Sequence, residues 1–141
     1  MGPVSRYAPP LAVMALIFAL SATPDLSSGL GTWDFILRKI AHVTIFALLW
    51  LTLARATQWR HPVPAAVVAV LYAASDELHQ SFVEGRNGTP VDVAIDSVGI
   101  GLAALAYAIA RPRILRAGRP SESGRSAPAK APAVEAPRDS V

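Results

Sequence analysis

Residues suited to acid–base chemistry and anion binding are concentrated in one run of the chain, Ser75 to Arg86. This run holds Asp76, Glu77 and His79, and it directly follows the apolar run Val67 to Ala74. Imidazole exchanges protons near neutral pH, and a guanidinium binds carboxylate or phosphate through a planar fork. Charged groups at membrane depth are costly and persist mainly where they line a site. The run therefore indicates a polar functional site at the end of a membrane span.

Two further segments place polar residues on single helix faces. Lys39 and His42 are three residues apart, and Asp92 and Asp96 are four apart, so each pair shares a face. At about 1.5 Å of rise per residue, these pairs and Glu77 lie at a similar depth below one membrane boundary. The spacing predicts one shallow polar cavity built by three helices.

The expected roles follow from the residue types. His42 and Glu77 are the candidate acid and base. The candidate ligand-binding residues are Lys39, Asp76, Gln80, Arg86, Asp92 and Asp96. Simpler roles remain open: Thr89 and Asp92 have the spacing of a capping box, Arg38 has the position of a snorkelling side chain, and the deeper charges are placed to pair and fix the bundle.

Composition excludes several classes of function. The chain has 141 residues, no cysteine and a net charge of +3, so neither a disulfide framework nor a thiolate site is possible. The basic residues lack the aromatic interleaving of an RNA binder and the pattern of a recognition helix, so no nucleic-acid partner is predicted. A P-loop, a nucleophile elbow and an H-E-x-x-H motif are absent from the sequence. Whether the protein is an enzyme is left open.

Four apolar segments predict an all-α fold, a polytopic bundle of four transmembrane helices. The expected helices are Pro9–Ala22, Asp34–Ala56, Pro64–Val83 and Pro90–Ala110. The last three reach the roughly 20 residues that a span needs, whereas the first is short and alternatively reads as a cleaved signal peptide. Residues 1–116 form the predicted membrane domain, and residues 117–141 a disordered tail rich in Pro, Ala and Ser.

The distribution of arginines predicts the orientation. Arg6, Arg55 and Arg60 lie on one side of the predicted membrane, together with the basic flank that follows the fourth helix. In the opposite loops, the first carries no Lys or Arg and the third carries only Arg86. The positive-inside rule therefore places both termini in the cytoplasm and the polar cavity at the outer leaflet. A bacterial cytoplasmic (inner) membrane location and direct contact with the lipid bilayer follow.

The motifs resemble those of VanZ-like membrane proteins over about residues 8–110. The matching segments are Arg38 to His42 with Phe46 to Leu49, Ser75 to Arg86, Asp92 to Gly99, and Ser21 to Pro24. The second is similar to the family pattern S-D-E-x-x-Q-x-F-V-P-G-R. Glu84 replaces its proline, and Ile45 and Phe46 stand where many members have Glu and Tyr. The resemblance implies a bacterial envelope protein linked to susceptibility to teicoplanin-type glycopeptides.

Three hypotheses of function follow. The favoured one is binding of, or action on, an anionic cell-surface lipid or glycan, with Lys39 and Arg86 on its charge. The second is a non-catalytic scaffold or interaction protein whose polar cluster only assembles the bundle. The third is a divalent-metal site of His42, Glu77, His79 and Asp96, which Lys39 and Arg86 oppose by charge. No metal and no cofactor is therefore predicted, and no oligomeric state is assigned.

Overall fold

The computed structural model describes residues 2–24 and 31–117, and this part of the chain is helical without a strand. Its helices are α1 (Pro3–Ser21), α2 (Thr32–Ala56), α3 (Pro62–Gln80) and α4 (Pro90–Ala117). The all-α prediction is confirmed for these residues. The predicted disordered tail lies, apart from Ala117, outside the described residues.

Several helix ends differ from the predicted ones. α1 begins at Pro3 rather than Pro9, because Pro3 already supplies the proline that the first turn tolerates. Pro9 then lies inside the helix. α4 likewise continues through Pro112 to Ala117, so the missing N–H of that proline does not end it. α3 ends at Gln80, three residues earlier than predicted, and a loop with turns leads to α4.

Three helices of the described chain are long and apolar enough to cross a membrane: Val4–Ser21, Thr32–Ala56 and Pro90–Pro112. The first helix is longer than predicted, since six more residues precede its predicted start. α3 is not among the three, because its last two turns carry Asp76, Glu77 and Gln80. Large apolar side chains such as Leu71 and Leu102 are exposed on the outer faces of α3 and α4. The chain is a membrane protein, and a fourth span stays a prediction.

α2 is the central helix of the bundle. It contacts α1, α3 and α4, and its contact with α4 is the most extensive. Phe46, Leu49 and Trp50 of α2 are almost completely buried, and they pack with Ala69 and Ala73 of α3 in the same apolar cluster. The small alanines of α3 thus share one buried core with the large side chains of α2.

Gly99 determines how closely α4 approaches α2. A Cβ added at this position would lie 2.2 Å from the carbonyl oxygen of Val43, a distance that no real side chain tolerates. Asp96 lies one turn before Gly99, and His42 lies next to Val43. The close approach at Gly99 therefore brings these two polar side chains together.

An aromatic cluster closes the end of the bundle opposite the polar residues. The rings of Trp59 and Tyr107 stack with centroids 4.3 Å apart, and Trp50 meets both rings edge-on. The indole nitrogen of Trp50 also donates to the carbonyl oxygen of Pro62 at 3.2 Å. The grouping fits the predicted inner interface, where tryptophan and tyrosine are enriched.

Candidate functional site

The centre of the polar end is a triad of His42, Glu77 and Asp96, contributed by α2, α3 and α4. The Nδ1 atom of His42 lies 3.0 Å from Asp96 Oδ1 and 3.9 Å from Glu77 Oε1. Asp96 is fully buried and Glu77 is 4% exposed, while His42 is half-buried. One imidazole thus lies between two buried carboxylates, an arrangement that can hold and transfer a proton.

The loop between α3 and α4 fixes the position of Glu77. The backbone N–H of Thr89 donates to Glu77 Oε2 at 3.2 Å. Gly88 packs against the same residue, since an added Cβ would lie 1.9 Å from the carbonyl oxygen of Glu77. Gly85 has a φ of 76°, which glycine adopts without strain. The two glycines let the loop turn back onto the end of α3.

A second hydrogen-bonded network joins α1 to α3. The hydroxyl of Ser21 donates to Asp76 Oδ2 at 2.9 Å, and the side-chain amide of Gln80 donates to the same oxygen at 2.8 Å. All three residues are buried. Gln80 also lies 3.5 Å from Glu77 Oε1, so this network is continuous with the triad.

Lys39 and Asp92 form an ion pair between α2 and α4 at the rim of the site. Asp92 also takes part in the predicted capping interaction. Its backbone N–H donates to Thr89 Oγ1 at 3.3 Å, and the Thr89 hydroxyl donates to Asp92 Oδ2 at 3.0 Å. The capping role and the pairing role of Asp92 are therefore both realised.

Arg86 is buried beneath the loop that carries it. The residue is only 8% exposed. Its Nη2 donates to the carbonyl oxygen of Leu20 at 2.8 Å, and its Nε donates to the carbonyl oxygen of Thr23 at 3.1 Å. These carbonyls end α1, where a cation is favoured by the helix dipole. Arg86 thus folds back onto the end of α1, with two of its nitrogens bound to backbone oxygens, and its ligand-binding role stays a prediction.

A polar cavity of about 570 Å³ opens beside the triad. Its lining includes Arg38, Lys39, His42, Glu77, Gln80, Arg86 and Asp92. Asp96 and Asp76 do not line this cavity and lie behind its wall as buried partners of His42 and Gln80. The volume is within the range of pockets that hold small molecules.

An apolar groove of about 320 Å³ runs between α1 and α2 next to the polar cavity. Ile17, Leu20, Leu37, Ile45 and Phe46 supply most of its apolar wall. Four residues line both spaces: Asp34, Arg38, His42 and Arg86. A polar chamber and an apolar groove therefore meet at a set of charged side chains.

The structure brings the sequence-predicted site residues together. The one exception is His79, which is named only in the metal hypothesis. His79 lies apart from the triad, where its ring stacks on Phe18 with centroids 4.7 Å apart. A set of His42, Glu77, His79 and Asp96 as ligands to one ion is therefore wrong. The catalytic and ligand-binding roles of the other named residues stay predictions.

Arg38 is the functional candidate that sequence reasoning missed. It reads as a snorkelling side chain, but it lies where the cavity and the groove meet. Within residues 2–24 and 31–117 it has no hydrogen-bond or ion-pair partner. Its position four residues before His42, on the same helix face, is the signal that could have found it. Ser21 and the backbone of Thr89 had no comparable signal, because their partners are distant in sequence.

Comparison with known proteins gives one match. Residues 6–111 match the sequence model of the family described as VanZ/LLP1. No curated protein and no solved structure matches the chain. The matched residues include α2 and α3, most of α1 and α4, and every residue of the triad.

Proposed function

The chain belongs to the VanZ/LLP1 family, and we propose that it binds an anionic amphiphile of the bacterial envelope, with the charged group in the polar cavity and an acyl chain in the apolar groove. The observation that carries the proposal is the junction of these two spaces at Arg38. A ligand that fills both must be polar at one end and apolar at the other, as a membrane lipid or a lipid-linked glycan is.

The charges at the junction favour an anionic head group. Lys39 is neutralised by Asp92, whereas the guanidinium of Arg38 has no partner among the described residues. A guanidinium binds phosphate or carboxylate through two parallel hydrogen bonds. Because the cavity wall also offers the imidazole of His42, a bound head group lies next to the acid–base triad. If the protein also acts on its ligand, the triad would supply the acid and the base at the same site.

The arginine distribution supports an orientation with this site at the outer leaflet and both termini in the cytoplasm. The lateral groove between α1 and α2 then opens to lipid of that leaflet. We extend the proposal to teicoplanin-type susceptibility, which the resemblance to VanZ-like proteins implies. Cells that express Arg38→Gln should then show the susceptibility of cells without the protein.

A scaffold role is the second candidate. It is supported by the buried network of Ser21, Asp76 and Gln80, whose hydrogen bonds join α1 to α3. In that case the polar end would fix the bundle, and lipid would bind equally well with or without the charge of Arg38.

Native mass spectrometry of the purified full chain tests the proposal, with phosphatidylglycerol as the anionic probe and phosphatidylcholine as the zwitterionic one. We expect the wild-type protein to retain phosphatidylglycerol preferentially. Arg38→Gln should weaken this retention by about tenfold, the effect of losing one charged hydrogen-bonding partner. Arg55→Gln is the matched control, because Arg55 is exposed at the opposite end of α2.

The outcomes separate the two candidates. If both variants retain phosphatidylglycerol as the wild type does, or if the two lipids bind alike, the amphiphile proposal fails and the scaffold role stands. Adding inorganic phosphate as a competitor distinguishes the sources of the anion. If phosphate displaces the bound phosphatidylglycerol, the charge of the head group suffices for binding. If phosphate does not displace it, the acyl chain is also recognised.

A further inference from the structure

The triad has the composition and spacing of a metal site. One ligand atom each from His42, Glu77 and Asp96 can be chosen so that all three lie within 4.8 Å of one another. A tetrahedral Zn²⁺ with ligand bonds of about 2.1 Å needs its ligand atoms roughly 3.4 Å apart. The observed separations from His42 Nδ1, 3.0 Å to Asp96 and 3.9 Å to Glu77, lie on either side of that value. Small side-chain rotations would therefore suffice.

Asp96 provides an independent indication of a missing partner. The residue is completely buried, and its Oδ2 atom has no hydrogen-bond partner within the described part of the chain. A carboxylate oxygen without a partner costs free energy when it is buried. A cation bound by the triad would remove this cost by neutralising the carboxylate.

Two of the three basic side chains that line the cavity beside the triad are already engaged elsewhere, and Arg38 is the third. Lys39 pairs with Asp92, and the Arg86 guanidinium donates to the carbonyl oxygens of Leu20 and Thr23. The triad itself carries two carboxylates against one imidazole. Its local charge therefore favours a divalent cation, although Lys39 and Arg86 oppose one in the sequence-based argument.

We propose that His42 Nδ1 and the carboxylates of Glu77 and Asp96 bind a single divalent transition cation such as Zn²⁺ or Mn²⁺. A set of one imidazole and two carboxylates suits these ions, whereas an all-oxygen set would favour Mg²⁺. His42 and Glu77 line the polar cavity, so the remaining coordination position faces it. This position is open to water or to an anion, as in a catalytic metal site. The inference goes beyond lipid binding and does not depend on it.

Metal titration of the full chain in detergent, without added lipid, tests the site. After treatment with EDTA, the wild-type protein should bind about one Zn²⁺ per chain in isothermal titration calorimetry. Asp96→Asn and His42→Gln should each weaken binding by about 100-fold, since even mutations beyond the ligands cost 10–100-fold. His61→Gln and His79→Gln are the controls, because neither histidine belongs to the triad.

A second measurement keeps the test decisive if a triad variant does not fold. Co²⁺ bound by the triad in the wild-type protein should give ligand-field bands in the visible absorption spectrum, and Zn²⁺ should displace them. The bands should persist in His61→Gln and His79→Gln. Absence of binding and of the bands in the wild type, or their loss in either control, would overturn the proposal. So would triad variants that fold and bind Zn²⁺ with wild-type affinity. Lipid retention is measured separately, so failure here leaves the amphiphile proposal intact.

Discussion

At the scale of single residues, Asp76 is the junction of the buried network that joins α1 to α3. It accepts hydrogen bonds from Ser21 and Gln80, and all three side chains are buried. Asp76→Ala leaves the other two without this acceptor, so we expect the free energy of unfolding to fall by about 1–3 kcal/mol. Titration of the purified protein with sodium dodecyl sulfate, followed by circular dichroism, measures this change.

Ser75→Ala is the neighbouring control. Ser75 is exposed, and within the described residues its hydroxyl donates only to the carbonyl oxygen of Tyr72 in its own helix. Its loss should change stability by less than about 0.5 kcal/mol, as for most surface substitutions. Equal effects of the two variants would mean that the Asp76 network does not stabilise the bundle.

Arg86 should be intolerant even of lysine. Two different nitrogens of its guanidinium donate to the carbonyls of Leu20 and Thr23, and one ammonium on a flexible stem does not reproduce that fork. Arg86→Lys should therefore loosen the loop at residues 81–89 nearly as much as Arg86→Ala does. Hydrogen–deuterium exchange of this loop checks the prediction, with Arg60→Lys in the opposite loop as control. Protection of the loop in Arg86→Lys at the wild-type level would show that charge alone is sufficient.

At the scale of helices, the contact between α2 and α4 depends on one glycine. A methyl group at Gly99 would collide with the backbone of Val43, whereas one at Gly101 meets nothing within 4 Å. Gly99→Ala should therefore lower the free energy of unfolding by about 1–3 kcal/mol, the usual cost of overpacking. Gly101→Ala should leave it unchanged or raise it slightly. Thermal unfolding of both variants in one detergent measures the difference, and equal melting temperatures would contradict the close approach.

The sequence predicts the helices and the faces of the site better than it predicts the partners. The spacing of Lys39 with His42, and of Asp92 with Asp96, places each pair on one face, and the structure brings these faces together. Periodicity is local information, so it identifies such pairs. It does not identify the role of Ser21 or the carbonyls that hold Arg86, because those contacts connect residues more than 50 positions apart.

The same limit explains what the sequence does not reveal. The position of Arg38 beside an apolar groove is not predictable from the sequence, because only packing between α1 and α2 creates that groove. His79 reads as a ligand because it is near Glu77 in sequence, but its position on α3 turns it toward Phe18. The ends of α1 and α4 were misplaced because proline ends some helices and is tolerated within others.

At the scale of the whole molecule, the arginine distribution predicts that the polar end faces outward. Cysteines introduced by Asn87→Cys and Arg60→Cys test this, because both positions are exposed and lie in loops at opposite ends of the bundle. Gly88 is unsuitable, since any side chain there meets the backbone of Glu77. In intact cells an impermeant maleimide should label Asn87→Cys and spare Arg60→Cys. The reverse pattern would place the site in the cytoplasm.

In the proposed function, one anionic amphiphile occupies both the charged cavity and the apolar groove, which meet at Arg38. Photocrosslinking with a phosphatidylglycerol that carries a diazirine on its acyl chain tests this most directly, with labelled peptides mapped by mass spectrometry. We expect labelling concentrated on the groove at residues 17–20 and 37–46, suppressed by excess unlabelled phosphatidylglycerol and reduced by Arg38→Gln. Labelling spread evenly over the exposed faces of all four helices, unchanged by the competitor or by the substitution, would contradict it.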